Sequence, residues 1–222
     1  MHRLAVFDLD HTLLDGDSDV LWCEFLMDEG LLDRASFEPR NAAMEAGYRA
    51  GSVSVQDFCD FYVGTLAGRT PAQWEPLRQR FSRLRVQPRL HVGTAALLQQ
   101  HRAQGDLLVL STATNRFITE PTAAALGFEH LIATDCELDG QGRFSGRTQG
   151  EPNMRGGKVQ RLGQWLAARG LSMDGLHTVF YSDSMNDLPL LEQVNEPVVT
   201  HGDERLRAIA QQRGWRQADL RA

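Results

Sequence analysis

The order of apolar and polar positions divides the chain into a strand, a long helical stretch and an alternating stretch. Residues 3–7 read RLAVF, a continuous apolar run of strand length that predicts a buried strand. From residue 17 to residue 85 the apolar positions recur every three or four residues, which predicts helices and no strand. Thr70 and Pro71 have the residue types preferred at a helix N-cap and at the first helical position.

After Pro88 the predicted helices alternate with predicted strands. The helices cover residues 93–103, 117–126, 156–168 and 204–212, and the strands cover residues 107–110, 130–134, 178–181 and 196–200. Residues 137–148 carry a hairpin signal. Because such alternation implies right-handed crossovers, we predict an α/β fold with a Rossmann-like parallel sheet. We expect its core to comprise residues 1–16 and 88–222, with an inserted all-helical cap at residues 17–87.

The composition is that of a soluble globular protein. Of the 222 residues, 42% are hydrophobic and 23% are charged, and no apolar run approaches the ~20 residues of a membrane-spanning helix. The formal charge of −6 argues against nucleic acid as a partner, because binding to a phosphate backbone requires a basic surface. The three cysteines are scattered without metal-ligand spacing, which favours a reduced, cytoplasmic compartment.

Small polar and acidic residues follow three of the predicted strands. Asp8 and Asp10 follow the first strand, and they project to the same side if the chain stays extended through them. Ser111 and Thr112 follow a second strand, and residues 182–187 follow a third. Because sites in open parallel sheets form beyond the carboxyl ends of the strands, we expect these groups to share one site.

The expected site contains several carboxylates, and their negative charges require positive partners nearby. Its four carboxylates would repel one another in a partly buried pocket; they belong to Asp8, Asp10, Asp183 and Asp187. Lys158 is the single lysine among 23 basic residues, and its compact ammonium differs chemically from the planar arginine group used everywhere else. We expect a hard divalent cation to supply the remaining positive charge, and all-oxygen ligands suit Mg²⁺.

Four motifs of the chain resemble those of the haloacid dehalogenase-like superfamily of phosphohydrolases. They are DxDxT at residues 8–12, a serine that ends a strand at Ser111, a lysine that opens a helix at Lys158, and SDxxxD at residues 182–187. The helical insertion after the first motif looks like the cap of the phosphoserine-phosphatase-like branch. The resemblance implies a Mg²⁺-dependent phosphatase that hydrolyses a small phosphate monoester through an aspartyl-phosphate intermediate.

The resemblance also implies a role for each catalytic residue. Asp8 would be the nucleophile and a metal ligand. Asp10 would protonate the leaving oxygen and then activate water, and its backbone carbonyl would contact the metal. Lys158 would neutralise charge on the nucleophile and on the phosphate.

The remaining motif residues are expected to bind the metal and the phosphate. By the resemblance, Asp183 would be a direct metal ligand and Asp187 would hold the waters of the metal. The phosphate oxygens would be bound by Ser111, Thr112 and Asn186.

Substrate choice is expected to depend on the cap and the rim of the site. The resemblance places Asp17 where the carboxylate of the family meets a substrate amine, one methylene shorter than the usual glutamate. Asp17 is therefore a candidate for substrate contact, and further candidates are Arg49 of the cap and Asn115, which opens the helix after Ser111. The resemblance allows aminated esters such as phosphoserine or histidinol phosphate, and the sequence Ser-Asp-Ser in place of Gly-Asp-Gly in the fourth motif argues against phosphoserine.

Two alternatives remain open on the same fold. A phosphotransferase would pass the phosphoryl group from the same aspartyl phosphate to an alcohol instead of water. A non-catalytic phospho-ligand-binding domain would be favoured by loss of Asp8 or Asp10, and both are present. In either case the expected partner is a small phosphorylated metabolite, without membrane contact, and the sequence says nothing about oligomeric state.

Overall fold

The computed structural model describes residues 3–221, which form one seven-stranded sheet flanked by helices. Its strands are β1 (Arg3–Phe7), β2 (Leu107–Asn115), β3 (His130–Leu138), β4 (Phe144–Gln149), β5 (His177–Ser182), β6 (Glu196–Thr200) and β7 (Arg216–Ala218). The strand order is β4-β3-β2-β1-β5-β6-β7. Neighbouring strands are parallel except β3 and β4, which form the predicted hairpin. The predicted α/β fold is therefore confirmed.

The helices of the described residues fall into two groups. Those between β1 and β2 are α1 (Ser18–Asp28), α2 (Arg34–Ala50), α3 (Val55–Val63), α4 (Pro71–Phe81) and α5 (Thr94–Ala103). Those after β2 are α6 (Arg116–Ala125), α7 (Gly156–Ala167), α8 (Leu188–Leu191) and α9 (Glu204–Arg213). As predicted, Thr70 is the N-cap of α4, where it forms a capping box with Gln73. No helix within residues 3–221 is long and apolar enough to cross a membrane.

β1 lies at the centre of the sheet and aligns three of the predicted motifs. It pairs in parallel with β2 on one side and β5 on the other, and Phe7 is in register with Leu110 and with Tyr181. The residues that follow these three positions lie side by side at the carboxyl edge of the sheet; they are Asp8, Ser111 and Ser182. The register of three hydrophobic strands therefore sets the position of the site.

Two hydrophobic clusters cover the two faces of the sheet. One contains Phe7 together with side chains of α1 and α4, including Trp22 and Phe81. The other contains Val6 together with side chains of α7 such as Leu162. α1 and α4 therefore share a core with the sheet, whereas α2 and α3 contribute to smaller separate clusters. The division into a core and a cap at residues 17 and 87 stays a prediction.

Some elements differ from the predicted bounds. β2 continues past residue 110 to Asn115 through small polar side chains, and β3 continues past residue 134 to Leu138. The apolar pattern does not mark these extensions, because their side chains serve the site and the hairpin instead of the core. β7 and α8 were not predicted, since RQA and LPLL are too short to show a periodicity.

Candidate active site

The carboxyl edge of the sheet borders a cavity of about 120 Å³. Its wall combines acidic side chains of the first and fourth motifs with Lys158 of the third motif and with side chains from α1 and α3. The acidic residues of the wall are Asp8, Asp10, Asp17, Asp19, Asp183 and Asp187. The structure therefore brings three of the four predicted motifs together in one site.

Lys158 lies in the middle of this acidic group. Its Nζ donates to Oδ1 of Asp8 at 2.8 Å and to Oδ2 of Asp187 at 2.7 Å, and its side chain is 1% exposed. Burial alone would lower the pKa of Lys158, but the carboxylates of Asp187 and Asp8 raise this pKa above its ordinary value. The ammonium therefore stays charged in the folded protein.

The start of α7 depends on a close approach of two backbone segments. A Cβ atom at Gly157 would lie 2.1 Å from the carbonyl oxygen of Pro152, so only glycine fits directly before Lys158. The turn that places Lys158 in the site therefore requires glycine at position 157.

Thr12 joins the first motif to the fourth. Its hydroxyl lies 3.3 Å from Oδ2 of Asp8 and 3.0 Å from Oδ1 of Asp183, and it accepts a hydrogen bond from the backbone N–H of Asp183 at 3.0 Å. Because a hydroxyl has one proton, Thr12 donates to one of the two carboxylates at a time. Thr12 thereby holds Asp8 and Asp183 close together on one wall of the cavity.

Asp8 and Asp183 carry more negative charge than their surroundings compensate. Burial raises the pKa of Asp8 well above its ordinary value, against the lowering effect of Lys158 and with a further rise from neighbouring carboxylates. Burial also raises the pKa of Asp183 to about 7. Within residues 3–221 no group of three His, Cys, Asp or Glu side chains is arranged to hold a metal ion. A cation at this pair would therefore need backbone, water or substrate oxygens as additional ligands.

Asp187 is fixed by a serine that stands in place of the usual glycine. Its Oδ2 accepts a hydrogen bond from the hydroxyl of Ser182 at 2.7 Å, and that hydroxyl accepts one from the backbone N–H of Ser184 at 3.1 Å. Asp187 is 3% exposed, so the hydroxyl of Ser182 and the ammonium of Lys158 replace water at the buried carboxylate. The serine at position 182, where the fourth motif more often has glycine, therefore serves to hold the carboxylate of Asp187.

Asp10 accepts four hydrogen bonds on the wall of the cavity. The backbone N–H and the hydroxyl of Ser18 donate to its Oδ1 at 2.7 and 2.6 Å. The hydroxyls of Thr112 and Thr114 lie 3.2 and 2.8 Å from its Oδ2 and donate to it. A carboxyl proton on Asp10 would therefore require one of these donors to turn away.

β2 contributes to the cavity wall with residues that follow the predicted Ser111 and Thr112. Ser111 and Thr112 are fully buried, and β2 lines the cavity with Ala113 and Thr114. The side-chain amide of Asn153 donates to the hydroxyl of Ser111 at 3.1 Å and to the carbonyl of Thr112 at 2.9 Å. The phosphate-binding roles of Ser111 and Thr112 stay predictions, and neither side chain forms part of the cavity wall.

Two carboxylates from the start of α1 extend the acidic wall. Asp17 is the N-cap of α1 and accepts a hydrogen bond from the backbone N–H of Val20 at 3.0 Å. Asn115 is the N-cap of α6, and its Nδ2 donates to Oδ1 of Asp19 at 3.2 Å. Burial and the charge of Asp10 raise the pKa of Asp17 to about 6. Burial and the charges of Asp17 and Asp10 likewise raise the pKa of Asp19 well above its ordinary value.

The side of the cavity formed by the helical segment is aromatic. Phe58 and Tyr62 of α3 line it together with Met154, and Asn186 lies on the adjoining wall. Arg49 lies outside this group, because its side chain is 73% exposed and pairs with Glu45 at 3.7 Å. The structure thus brings Asp17 and Asn186 to the cavity and places Asn115 behind Asp19, but it does not bring Arg49 there.

Several site residues were not assigned a role from the sequence, among them Thr12, Thr114 and Asn153. Thr12 ends the DxDxT motif, so its link to Asp183 follows from a residue already noticed. Thr114 lies two positions after Thr112, and the alternation of a strand would have placed both hydroxyls on one face had β2 been extended that far. Asn153 lies in a loop before α7 and carries no sequence signal.

The comparisons with known sequences identify the family. The family model of the haloacid dehalogenase-like hydrolases matches residues 5–192. A histidinol-phosphatase from Neisseria meningitidis serogroup C (strain 8013) is 36% identical over 216 residues, covering 97% of this chain and 97% of that protein. The phosphoserine phosphatase SerB1 of Mycobacterium tuberculosis (strain ATCC 25618 / H37Rv) is 29% identical over 225 residues, covering 98% of this chain and 70% of that protein.

Solved structures agree with this family. A crystal structure of a protein of unknown function from Bordetella pertussis Tohama I has a TM-score of 0.94 at 44% identity and covers 99% of both chains. A substrate-bound phosphoserine phosphatase has a TM-score of 0.69 at 14% identity, covering 100% of this chain and 94% of that chain, which shows the shared fold. The resemblance inferred from the four motifs is therefore confirmed, and the chain belongs to the haloacid dehalogenase-like hydrolases.

Proposed function

We propose that this protein is a phosphatase that hydrolyses a small phosphate monoester through a phosphorylated Asp8. The observation that carries the proposal is the buried contact of Lys158 with Asp8, which places an ammonium group beside this carboxyl group at the cavity wall. A carboxylate nucleophile divides the hydrolysis into two displacements, first at the ester and then at the acyl phosphate. Relatives named histidinol-phosphatase and phosphoserine phosphatase support this class of reaction.

Asp10 would serve both displacements as the proton carrier. In the first, its carboxyl group gives a proton to the leaving ester oxygen as the bond to phosphorus breaks. In the second, its carboxylate takes a proton from the water that attacks the phosphoryl group on Asp8, which releases phosphate and restores the nucleophile. The hydroxyls of Thr112 and Thr114 would turn away from Asp10 whenever it carries the proton.

The donor set at Asp8 and Asp183 fits Mg²⁺. Both groups are carboxylates, the ligand type of hard cations, and burial leaves their charge uncompensated. We propose that Asp8 and Asp183 hold Mg²⁺ together with the backbone carbonyl of Asp10, and that Asp187 contacts its waters. The bound ion would supply positive charge to the transferring phosphoryl group, in addition to the charge of Lys158.

The phosphoryl oxygens would be bound by groups from opposite walls. We propose Asn186 on one side and the end of β2 on the other, where Thr114 lines the cavity. Ser111 and Thr112 would contribute mainly through the backbone of this strand end, because both side chains are fully buried. The amide of Asn153 fixes that backbone by its contact with the carbonyl of Thr112.

The charge of the cavity favours an aminated substrate without a carboxylate. Asp17 and Asp19 form a negative wall whose raised pKa values would be lowered by a bound ammonium group. No arginine of the described residues lines the cavity, and Lys158 is already paired with Asp8 and Asp187, so the carboxylate of phosphoserine would lack a free cationic partner in the wall. Histidinol phosphate carries an amine and an imidazole but no carboxylate, and Phe58 and Tyr62 offer aromatic surface to its ring.

The helical segment at residues 17–87 would act as a cap that closes over the phosphate. The cavity of about 120 Å³ is smaller than the ~300–1,000 Å³ of ordinary ligand pockets, which favours a wall that moves outward when a substrate enters. α2 contributes to small hydrophobic clusters outside the main core, whereas α3 is also hydrogen-bonded to β4 through Asp60 and Thr148, so α2 is the part best able to move.

A panel of phosphate esters tests the proposal. Purified protein with Mg²⁺ would be given histidinol phosphate, phosphoserine, phosphoethanolamine and glycerol phosphate, and phosphate release would be measured with Asp8→Asn as the blank. We expect the highest kcat/KM for histidinol phosphate and no release by Asp8→Asn. Equal rates for the amine-bearing and amine-free esters would contradict the substrate assignment, and release by Asp8→Asn would contradict the reaction. An added alcohol that receives the phosphoryl group would favour a phosphotransferase.

Asp19→Asn tests whether the negative wall formed by Asp17 and Asp19 binds the substrate amine. This variant keeps the size of the side chain and a hydrogen-bond acceptor but removes the charge. We expect kcat/KM to fall roughly 10- to 100-fold for the aminated esters, because a charge-assisted contact is lost. The rate for glycerol phosphate, which has no amine, is expected to change little. A similar loss for both kinds of ester would show that Asp19 serves the reaction and not the choice of substrate.

A further inference from the structure

Three side chains meet where the helical segment contacts the rest of the chain at the rim of the cavity. Tyr48 comes from the end of α2, Arg155 from the loop before α7, and Asn186 from the fourth motif. The hydroxyl of Tyr48 lies 3.3 Å from Oδ1 of Asn186, and Nε of Arg155 donates to the same oxygen at 3.1 Å. The guanidinium carbon of Arg155 lies 4.6 Å from the centre of the Tyr48 ring. We call these three residues the latch.

The two donors determine how the amide of Asn186 is turned. An oxygen that accepts from Tyr48 and Arg155 must point toward them, which leaves the two N–H groups of Nδ2 for another acceptor. Asn186 also lines the cavity that contains Asp8. In this orientation the amide can donate to an oxygen of a group bound there.

The surroundings of the latch hold its parts in place. Tyr48 is 8% exposed, its ring lies 4.4 Å from the ring of Phe58, and its hydroxyl lies 3.5 Å from the sulfur of Met154. Arg155 has a φ of +53°, a backbone conformation that residues with a side chain rarely adopt. Such a conformation is retained when surrounding contacts determine it, and it is found most often at functional positions.

We propose that Tyr48 and Arg155 are positioning residues that turn the Asn186 amide toward the phosphoryl oxygens, so that full phosphate affinity requires the helical segment to be closed. The proposal rests on the proposed phosphate site and adds the residues that couple this site to closure. Tyr48 is the member contributed by the helical segment, so the latch breaks when that segment lifts. Release of phosphate would then be helped by the same opening that lets the product leave.

A double-mutant cycle with inorganic phosphate as the probe tests the latch. Calorimetric titration in the presence of Mg²⁺ would compare the unchanged protein, Tyr48→Phe, Asn186→Ala and the double variant. Tyr48→Phe keeps the ring and its packing but removes the hydroxyl, and we expect phosphate affinity to fall roughly three- to tenfold. In the Asn186→Ala background the same change is expected to have less than about a twofold effect, because Tyr48 acts through Asn186.

Tyr62→Phe is the matched control, because it also removes a hydroxyl of the helical segment at the cavity. The hydroxyl of Tyr62 donates to Asn41 within that segment at 2.9 Å, so we expect its effect to be the same in both Asn186 backgrounds. Equal effects of Tyr48→Phe in both backgrounds would overturn the latch, as would an unchanged affinity in Tyr48→Phe. An unchanged affinity in Asn186→Ala would instead contradict the phosphate-binding part of the proposed function. Binding of inorganic phosphate does not depend on which ester is the substrate.

Discussion

The Nζ atom of Lys158 lies 2.8 Å from Oδ1 of Asp8, and the two side chains are only 1% and 9% exposed. Because both side chains have little exposure to water, each charge depends strongly on the other. The same ammonium also holds Asp187 at 2.7 Å, so one lysine compensates two carboxylates. The charge of the nucleophile and the stability of the fold are therefore linked at this residue.

Removing the lysine charge is expected to cost both stability and activity. Lys158→Met leaves two buried carboxylates without their partner, so we predict a loss of about 3–5 kcal/mol in the free energy of unfolding. We also predict at least a ~100-fold loss of turnover, since the charge at the phosphoryl group is lost. Urea unfolding and steady-state kinetics with excess Mg²⁺ measure the two effects.

Lys158→Arg separates charge from shape. The arginine keeps the positive charge but is a planar, larger group in a space that is closed around a single nitrogen atom. We predict a loss of turnover of at least ~10-fold even where the folded state is retained. Full activity of this variant would show that any positive charge suffices and that the single lysine of the chain has no special role.

Asp10→Asn tests the proton carrier. The amide retains most of the shape of the side chain and can still accept from Ser18, so we expect the binding of Mg²⁺ and inorganic phosphate to persist. Turnover is predicted to fall by at least ~100-fold, because an amide cannot give or take the proton. Kinetics and phosphate titration on the same preparation separate the two properties, and unchanged turnover would exclude Asp10 as the acid and base.

Asp17 makes the stability of the metal-free protein depend on pH. Its pKa of about 6 lies above the ordinary value of 3.8, so the folded state binds this proton more tightly than the unfolded state. This contribution to stability is complete below the unfolded value and is lost as the pH rises through about 6. We predict that Asp17→Asn is more stable than the unchanged protein at neutral pH by about 1–3 kcal/mol.

The comparison is made by urea unfolding of both proteins at a series of pH values without Mg²⁺. The difference between them is expected to shrink toward pH 4, where the carboxyl of Asp17 is protonated in the folded protein. The asparagine side chain of the variant would still serve as an N-cap for α1, so the loss of a cap does not mask the effect. If the difference in the free energy of unfolding between the two proteins stayed constant with pH, it would not come from titration of the Asp17 carboxyl group.

A buried hydrogen-bonded chain on the α5 side of the sheet is predicted to affect stability alone. The hydroxyl of Tyr181 lies 2.8 Å from Nε2 of His101, whose Nδ1 lies 2.6 Å from Oδ2 of Asp106. Tyr181→Phe keeps the stacking on Phe7 but leaves the buried His101 nitrogen without its partner. We expect a loss of about 1–3 kcal/mol in the free energy of unfolding with turnover nearly unchanged.

Urea unfolding and kinetics at a temperature well below the transition measure these two quantities for Tyr181→Phe. An unchanged midpoint would show that the chain contributes nothing measurable. A loss of turnover at full folding would show that Tyr181 influences the neighbouring Ser182 and Asp183, contrary to the prediction.

The sheet and three motifs could be predicted because hydrophobic strands mark them. β1, with all its central positions apolar, leads directly into Asp8, and the same holds for β5 and Ser182. The end of β2 could not be predicted, because the run from Ser111 to Asn115 continues the strand with small, mostly polar residues and without a large apolar side chain. Which hydroxyl of β2 lines the cavity depends on where the strand ends, and sequence alone does not fix that point.

Contacts between remote segments were also beyond the sequence. Tyr48 and Asn186 are 138 positions apart, and only the docking of α2 brings them together. Arg49 was predicted to contact the substrate, yet it follows Tyr48 in the helix and is rotated by about 100° from it, which turns it toward solvent. The residue that contacts the site from this end of α2 is Tyr48, and Arg49 lies on another face of the helix.

Trapping of the acyl phosphate shows whether the phosphoryl group passes through Asp8. Protein mixed with a hydrolysable ester and Mg²⁺ would be quenched in acid, reduced with borohydride and digested for peptide mass spectrometry. Reduction converts a phosphorylated aspartate to homoserine, and we predict homoserine at position 8 only when the ester is present. Rapid phosphate release with Asp8 unmodified at every quench time, or modification at another carboxylate, would contradict the account.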